Sequence, residues 1–281
     1  MKIRHFSVIM SLAAVMSLTA CKSEFERIRA SGDPALMLTK ANDYYAKENY
    51  TKAQALYELV IASYRGRPEA EDISFKYAYT YYYSGQYILA SYYFKNFVQT
   101  FSASPKREEA DFMAAYANYQ LSPSFRLDQS YTDKAIDGFQ LFVGTYPESE
   151  RVQECNRLID EMRHKQEHKA FEEGKLYFDL REYQAAIRTF DNLLRDFPET
   201  DNAEQVRFMI VRSAYLLAEN SFVEKQEPRY QEAVQYASEF RERYPNSRNR
   251  RDADEIYDNA KKKLNQLSNV GHQNQSSRAG S

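Results

Sequence analysis

The sequence predicts an all-α fold: about five helical hairpins in tandem, wound into a superhelix and divided into two lobes. Three observations carry this. Eight Gly and eight Pro in 281 residues leave few turns and long elements between them. The 24 Tyr and 17 Phe, with no Trp, 28% charged residues and a mean hydropathy of −0.72, describe helices with aromatic buried stripes and charged outer faces. A spaced pattern of Ala and large apolar residues recurs along the chain. With 43% hydrophobic residues the chain is long enough to bury a core, and the scarcity of turns excludes a sandwich or barrel. A net charge of −2 gives no electrostatic footprint for nucleic acid, so no nucleic-acid partner is expected.

Lys2 and Arg4 precede an apolar stretch, residues 6–20. It is shorter than the roughly 20 residues needed to cross a bilayer and matches the core of a secretory leader. Residues 1–20 therefore read as a signal peptide. The stretch ends Leu18-Thr19-Ala20-Cys21, which resembles the bacterial lipobox: small residues fit the lipoprotein signal peptidase, and the Cys21 thiol receives diacylglycerol before N-acylation. That covalent lipid is the only prosthetic group expected, and it holds the mature chain to a membrane while the folded part stays in solution. Lys22, where Asp causes retention in the inner membrane of similar enterobacterial lipoproteins, favours the outer membrane with the folded part in the periplasm. Residues 21–33 read as a tether. Cys155 is the other cysteine and shares a helical stripe with Val152 and Ile159, so a small buried residue is expected there and no intrachain disulfide.

The repeat is an Ala followed at +4, +7 and +11 by large apolar residues: Ala53-Tyr57-Val60-Tyr64, Ala90-Phe94-Phe97-Phe101, Ala135-Phe139-Phe142-Tyr146, Ala186-Phe190-Leu193-Phe197 and, with a small residue at +4, Ala233-Ala237-Phe240-Tyr244. These offsets follow one face of a 3.6-residue period for three turns. Tyr50, Tyr87, Tyr183 and Tyr230 stand three residues before four of the five Ala. Twelve residues upstream comes a second small-aromatic pair, Ala41 with Tyr44, Ala78 with Tyr81, and Gly174 with Tyr177, which describes a partner helix. In the third and fifth units the partner small residues, Ala117 and Ala214, lie further upstream, so longer loops are expected at 122–133 and 221–229. Prolines 147, 198 and 245 close the second helices and the Ser or Thr after them restarts the chain. This small-aromatic-Ala-Phe-Pro pattern resembles the tetratricopeptide repeat over residues 34–250. The tyrosine-rich run 77–83 alternates like a strand, but the repeat register makes it the first helix of the second unit. Residues 151–171 read as a helical link that divides the array into lobes at 34–150 and 151–267. The polar segment 268–281 has no periodicity and reads as a disordered tail.

One stretch matches an enzymatic motif. His164-Lys165-Gln166-Glu167-His168 is a literal HxxEH, in which two His one turn apart bind zinc beside a catalytic carboxylate. Charged neighbours on nearly every face of that helix argue instead for a solvated surface, because a catalytic zinc needs a dry cavity and a third ligand. The other two His, at positions 5 and 272, lie in the leader and the tail, and phosphate-binding, nucleophile-elbow and calcium-loop motifs do not occur. No catalytic or metal-binding residue is therefore assigned.

A repeat array offers instead a groove lined by first helices. The groove positions expected here are Asn42, Tyr45, Phe75, Tyr79, Tyr82, Tyr83 and Asn118, since tyrosine combines contact area with a hydroxyl that can bond an extended backbone. A lipobox followed by five such repeats resembles the BamD family of outer-membrane β-barrel assembly lipoproteins. The resemblance extends to the loop Ser122-Pro123 to Leu127-Asp128-Gln129-Ser130-Tyr131-Thr132 before Ala135-Ile136-Asp137-Gly138-Phe139, and to Tyr146-Pro147-Glu148-Ser149 with the charged helix after it. It implies a scaffold rather than an enzyme. The N-terminal repeats would receive the targeting strand of unfolded outer-membrane proteins, and the C-terminal repeats would dock a BamA-like β-barrel insertase. The rival expectation is a tetratricopeptide lipoprotein for another envelope task, such as pilus secretin assembly or cell-wall coordination. A zinc hydrolase using the HKQEH stretch is the remote one.

Overall fold

The computed structural model describes residues 23–279, with side chains to residue 267; the signal peptide and Cys21 lie outside the described residues. Within that range the chain is helical and without strands. In chain order the helices are α1 (Glu24–Arg29), α2 (Pro34–Ala46), α3 (Tyr50–Val60), α4 (Glu69–Tyr83), α5 (Tyr87–Thr100), α6 (Arg107–Leu121), α7 (Ser130–Thr145), α8 (Val152–Asp179), α9 (Tyr183–Asp196), α10 (Ala203–Glu219), α11 (Val223–Arg243) and α12 (Arg250–Ala279).

Successive pairs form antiparallel hairpins, and the residues that define the repeat are the ones that make them. All five anchor alanines, Ala53, Ala90, Ala135, Ala186 and Ala233, are fully buried. So are Tyr57, Phe94, Phe139 and Phe190 four residues later, each burial contributing about 1.5–3 kcal/mol. Opposite them stand the small residues of the first helices, Ala41, Ala78, Ala117, Gly174 and Ala214. Gly174 shows why they are small: a Cβ there would lie 2.5 Å from Cε1 of Phe190, closer than two carbons can approach. The tyrosine run 77–83 is the second half of α4.

Four hairpins are closed by the same polar clasp. The hydroxyl that follows each second helix donates to a glutamate on the first helix of its own hairpin: Ser104 to Glu71, Ser149 to Glu108, Thr200 to Glu167 and Ser247 to Glu204, at 2.5–2.7 Å. The same oxygen accepts the backbone N–H two residues on, from Lys106, Arg151, Asn202 and Asn249. One hydroxyl thus ties the corner to the hairpin and caps the next turn.

The described residues divide into two compact units, 23–123 with 128–159, and 124–127 with 160–279. The first unit holds α1 to α7 and the start of α8; the second holds the rest. The division thus falls within α8, some residues past the expected 150/151, because the stripe Cys155, Leu158 and Ile159 is buried with the first unit. Residues 124–127 go with the second unit: Lys169 Nζ donates to the Leu127 carbonyl at 2.8 Å, and the Phe125 and His168 rings are 4.4 Å apart.

Three expectations need correction. The tether contains α1, whose Ile28 is 5% exposed, because Ser23 caps it and the helix has an apolar face to bury. The loop expected at 221–229 is the start of α11, which contains Pro228 in its second turn; the proline removes one backbone bond and crowds the carbonyl four residues back, and the helix holds across it with Gln226 Nε2 donating to the Ser221 carbonyl at 3.0 Å. The segment read as a disordered tail continues α12 as far as Ala279, since extending a helix already nucleated by packed residues costs far less than starting one.

Candidate functional site

The expected groove residues divide into two groups. Phe75 and Asn118 are taken up by the interior: Phe75, 8% exposed, packs edge-on to Phe94 and against Phe97, and Asn118, 5% exposed, donates to Ser91 Oγ and the Ala114 carbonyl, both at 3.2 Å. Their place on the groove wall is therefore corrected: α4 and α6 turn them toward the neighbouring second helix. Asn42 lies at the margin, where its side-chain oxygen accepts from Tyr57 at 2.8 Å and Lys76 at 3.1 Å. Lys76 and Lys106 both reach Asp72, at 2.7 and 2.8 Å. Burial alone would raise the Asp72 carboxyl, but these bonds outweigh it and hold the group below the usual carboxylate range.

Tyr45, Tyr79, Tyr82 and Tyr83 meet as one aromatic surface. Tyr83, half exposed, is stacked between Tyr50, with ring centroids 4.6 Å apart, and Tyr79, at 5.4 Å. Tyr45 meets Tyr50 edge-on at 5.6 Å, and Tyr82 lies 5.6 Å from Tyr83 and 6.3 Å from Tyr116. Tyr116 continues to Tyr119 at 5.5 Å, so the ladder crosses from α2 through α3 and α4 to α6. Tyr79 is the buried rung, its hydroxyl donating to the Glu109 carboxylate. Burial raises Tyr45 and Tyr79 far above the usual tyrosine range and pushes Tyr82 up to about 12, helped at Tyr79 by the Glu109 carboxylate and at Tyr45 and Tyr82 by neighbouring phenols. These phenols therefore remain protonated over the physiological range and present hydroxyls that both donate and accept.

Tyr50, Tyr116 and Tyr119 were not among the expected groove residues. Tyr50 was legible only as a repeat marker, and its role as a rung depends on the turn that places α3 beside the end of α4. That turn and the end of α4 also border a cavity of about 450 Å³ lined by Lys47, Glu48, Asn49, Tyr50, Tyr83 and Ser84.

The HKQEH stretch lies on α8 and serves the clasp described above. Glu167 accepts from Thr200 and from Asn202 Nδ2 at 2.9 Å, and His164 Nδ1 is 3.6 Å away with 75% of its side chain exposed. Burial would raise the Glu167 carboxyl; the Thr200, Asn202 and His164 bonds together hold it below its ordinary value. His168 packs on Phe125. Among the described residues no group of three His, Cys, Asp or Glu is arranged to hold a metal ion, and no helix is long and apolar enough to cross a membrane.

Tandem antiparallel hairpins with a small residue at each helix crossing define a tetratricopeptide-repeat protein. The chain matches the YfiO outer membrane lipoprotein family model over residues 31–215 and 175–269. It belongs to this family, the BamD family of outer-membrane lipoproteins. Among solved structures it is similar to the TPR2AB domain of yeast Sti1 in its pHSP90 complex (14% identity, 81% of this chain and 98% of that one, TM-score 0.38). It is also similar to a thermophilic TPR protein of Thermus thermophilus (16% identity, 81% and 98%, TM-score 0.31). No curated protein matches the chain.

Proposed function

We propose that the protein is an outer-membrane assembly scaffold, lipid-anchored through Cys21 with its folded part in the periplasm. It recruits unfolded β-barrel proteins to a BamA-type insertase. Family membership supports the address. The observation that carries the recruitment step is the tyrosine ladder of the first unit: stacked phenols, with Tyr83 half exposed, offer apolar ring edges and hydroxyls together. An extended strand presents alternating side chains and unpaired backbone groups, and this surface can accept both. Anchoring then acts by concentration, because a strand held beside the insertase meets it far more often than one in free solution. No covalent step is required of the scaffold. The second unit is the docking half in this reading.

The test is site-specific photocrosslinking to an unfolded barrel protein. Tyr45→Ala, Tyr82→Ala and Tyr83→Ala together should cut the adduct about tenfold or more while leaving the helical signal and the insertase copurification intact. Undiminished crosslinking in the folded triple variant would refute the groove. Copurification of a secretin or of cell-wall enzymes without a BamA-type barrel would move the scaffold to another envelope task.

A further inference from the structure

Three large apolar side chains crowd the first two turns of α5 and face solvent: Ile88 is 57% exposed, Leu89 41% and Tyr92 56%. Their spacing of i, i+1 and i+4 puts them on one side of the helix, opposite the buried Ala90, Ser91 and Phe94. Gathered on one side of a helix they form an apolar patch of the kind that marks an interaction surface, and the place of α1 indicates with what.

Helix α1 is fastened to the first hairpin. Ile28 is buried, the Phe25 ring lies 6.0 Å from Tyr44, and Lys52 Nζ stands 5.8 Å over Phe25 and 5.3 Å over Tyr44. Lys40 pairs with Glu24 at 3.4 Å. Tyr44 and Lys52 flank the turn 47–49, so α1 begins at that end of the hairpin. The same turn shares a cavity with Tyr83 and Ser84, and Gln86, the residue before α5, reaches Gln54 at 3.4 Å. The start of α1, the turn 47–49, the turn 84–86 and the first turn of α5 therefore form one continuous edge of the first unit. Cys21 stands two residues before Ser23, and two residues of chain reach at most about 7 Å.

We propose that this edge rests on the phospholipid surface, with Ile88, Leu89 and Tyr92 entering the interface between headgroups and acyl chains. The inference rests on the lipidation of Cys21. An acyl anchor alone leaves a protein free to tumble about its tether; a second, apolar contact fixes which edge meets the membrane. Tyr92 has the amphipathic ring that such interfaces favour. Tyr83, on the same edge, would then present the outer rung of the tyrosine ladder close to the bilayer.

The test uses the full-length lipidated protein in vesicles of phosphatidylethanolamine and phosphatidylglycerol. An environment-sensitive fluorophore is attached at Ile88→Cys, or at Ser102→Cys as a control; Cys155 is buried and Cys21 acylated, so labelling is confined to the new thiol. Ser102 lies just past the far end of α5, about 20 Å along the helix from Ile88. Brominated phospholipids should quench the probe at 88 at least threefold more than the probe at 102, and Leu89→Glu should bring the two together. Flotation with vesicles but equal quenching at both sites overturns this proposal alone. Shielding of the probe at 88 from an aqueous quencher without any dependence on brominated lipid also overturns it, and assigns the face to a protein occupant or a second copy. Failure to float, with Cys21 unacylated by mass spectrometry, overturns the anchor reading and this proposal with it.

Discussion

Replacing Glu167 with Ala removes the acceptor of the clasp that closes the α8/α9 hairpin, and the structure sets the size of the loss. Glu167 is 7% exposed and receives two hydrogen bonds, from Thr200 and Asn202. Bonds to a charged group contribute about 1.5–3 kcal/mol each, but Thr200 is only half-buried and Asn202 exposed, so water replaces part of what is lost. The expected cost is about 2–3 kcal/mol, a fall in Tm on the order of 5–10 °C. Glu167→Gln keeps the shape and loses the charge, so it should recover about half. The carboxyl is held below its ordinary value of 4.5, so its contribution is complete above that pH and is lost as pH falls through the lower native value. Wild type should therefore lose more stability than Glu167→Gln on acidification below about pH 4.5. Thermal and urea unfolding of wild type, both variants, Thr200→Val and the Glu167→Ala/Thr200→Val pair gives the coupling directly; about 1–2 kcal/mol is expected. A coupling near zero with a Tm within a degree of wild type would refute the clasp. Stabilisation of wild type but not Glu167→Ala by added zinc would show that HKQEH is a metal site after all.

Gly174→Val drives a branched side chain into Phe190 and should lower the urea midpoint by the equivalent of about 2 kcal/mol or more, whereas Gly144→Ala, with nothing within 4 Å, should leave it unchanged or raise it slightly. Arg181 turns the α8/α9 corner with a φ of 63°, where the second hairpin uses Gly85; Arg181→Gly should stabilise the fold by about 0.5–1 kcal/mol through relieved strain, read as a modest rise in Tm, and a lower Tm would refute that reading. The Cys155 thiol is buried and pushed up to about 11, so it should resist a thiol reagent at pH 8 for as long as the protein stays folded; labelling within minutes in native buffer would place it at the surface.

The five hairpins, their register and the residues that anchor them were legible in the chain because they follow from local periodicity. The anchor alanines at one spacing and the aromatics four and seven residues later could bury only as paired helices, and the same register kept the tyrosine run 77–83 from passing as a strand. Cys155 was legible in the same way, as one position of an apolar stripe. Contacts between elements were not. Asn118 and Phe75 occupy first-helix positions that a generic repeat would point outward, and only the packing of α6 on α5 and of α4 on α5 turns them in. Glu167 belonged on sequence to a zinc motif; what it does is decided by Thr200, which lies a hairpin away. Tyr50 joins the ladder because a turn at residues 47–49 brings α3 beside Tyr83, a distance no spacing in the chain encodes. The sequence by itself determined which residues must be buried and how often the chain must reverse, since a helix has one period and an apolar stripe has one remedy. The tertiary structure decided which polar and aromatic groups meet, because those meetings depend on the angle and depth at which neighbouring helices pack.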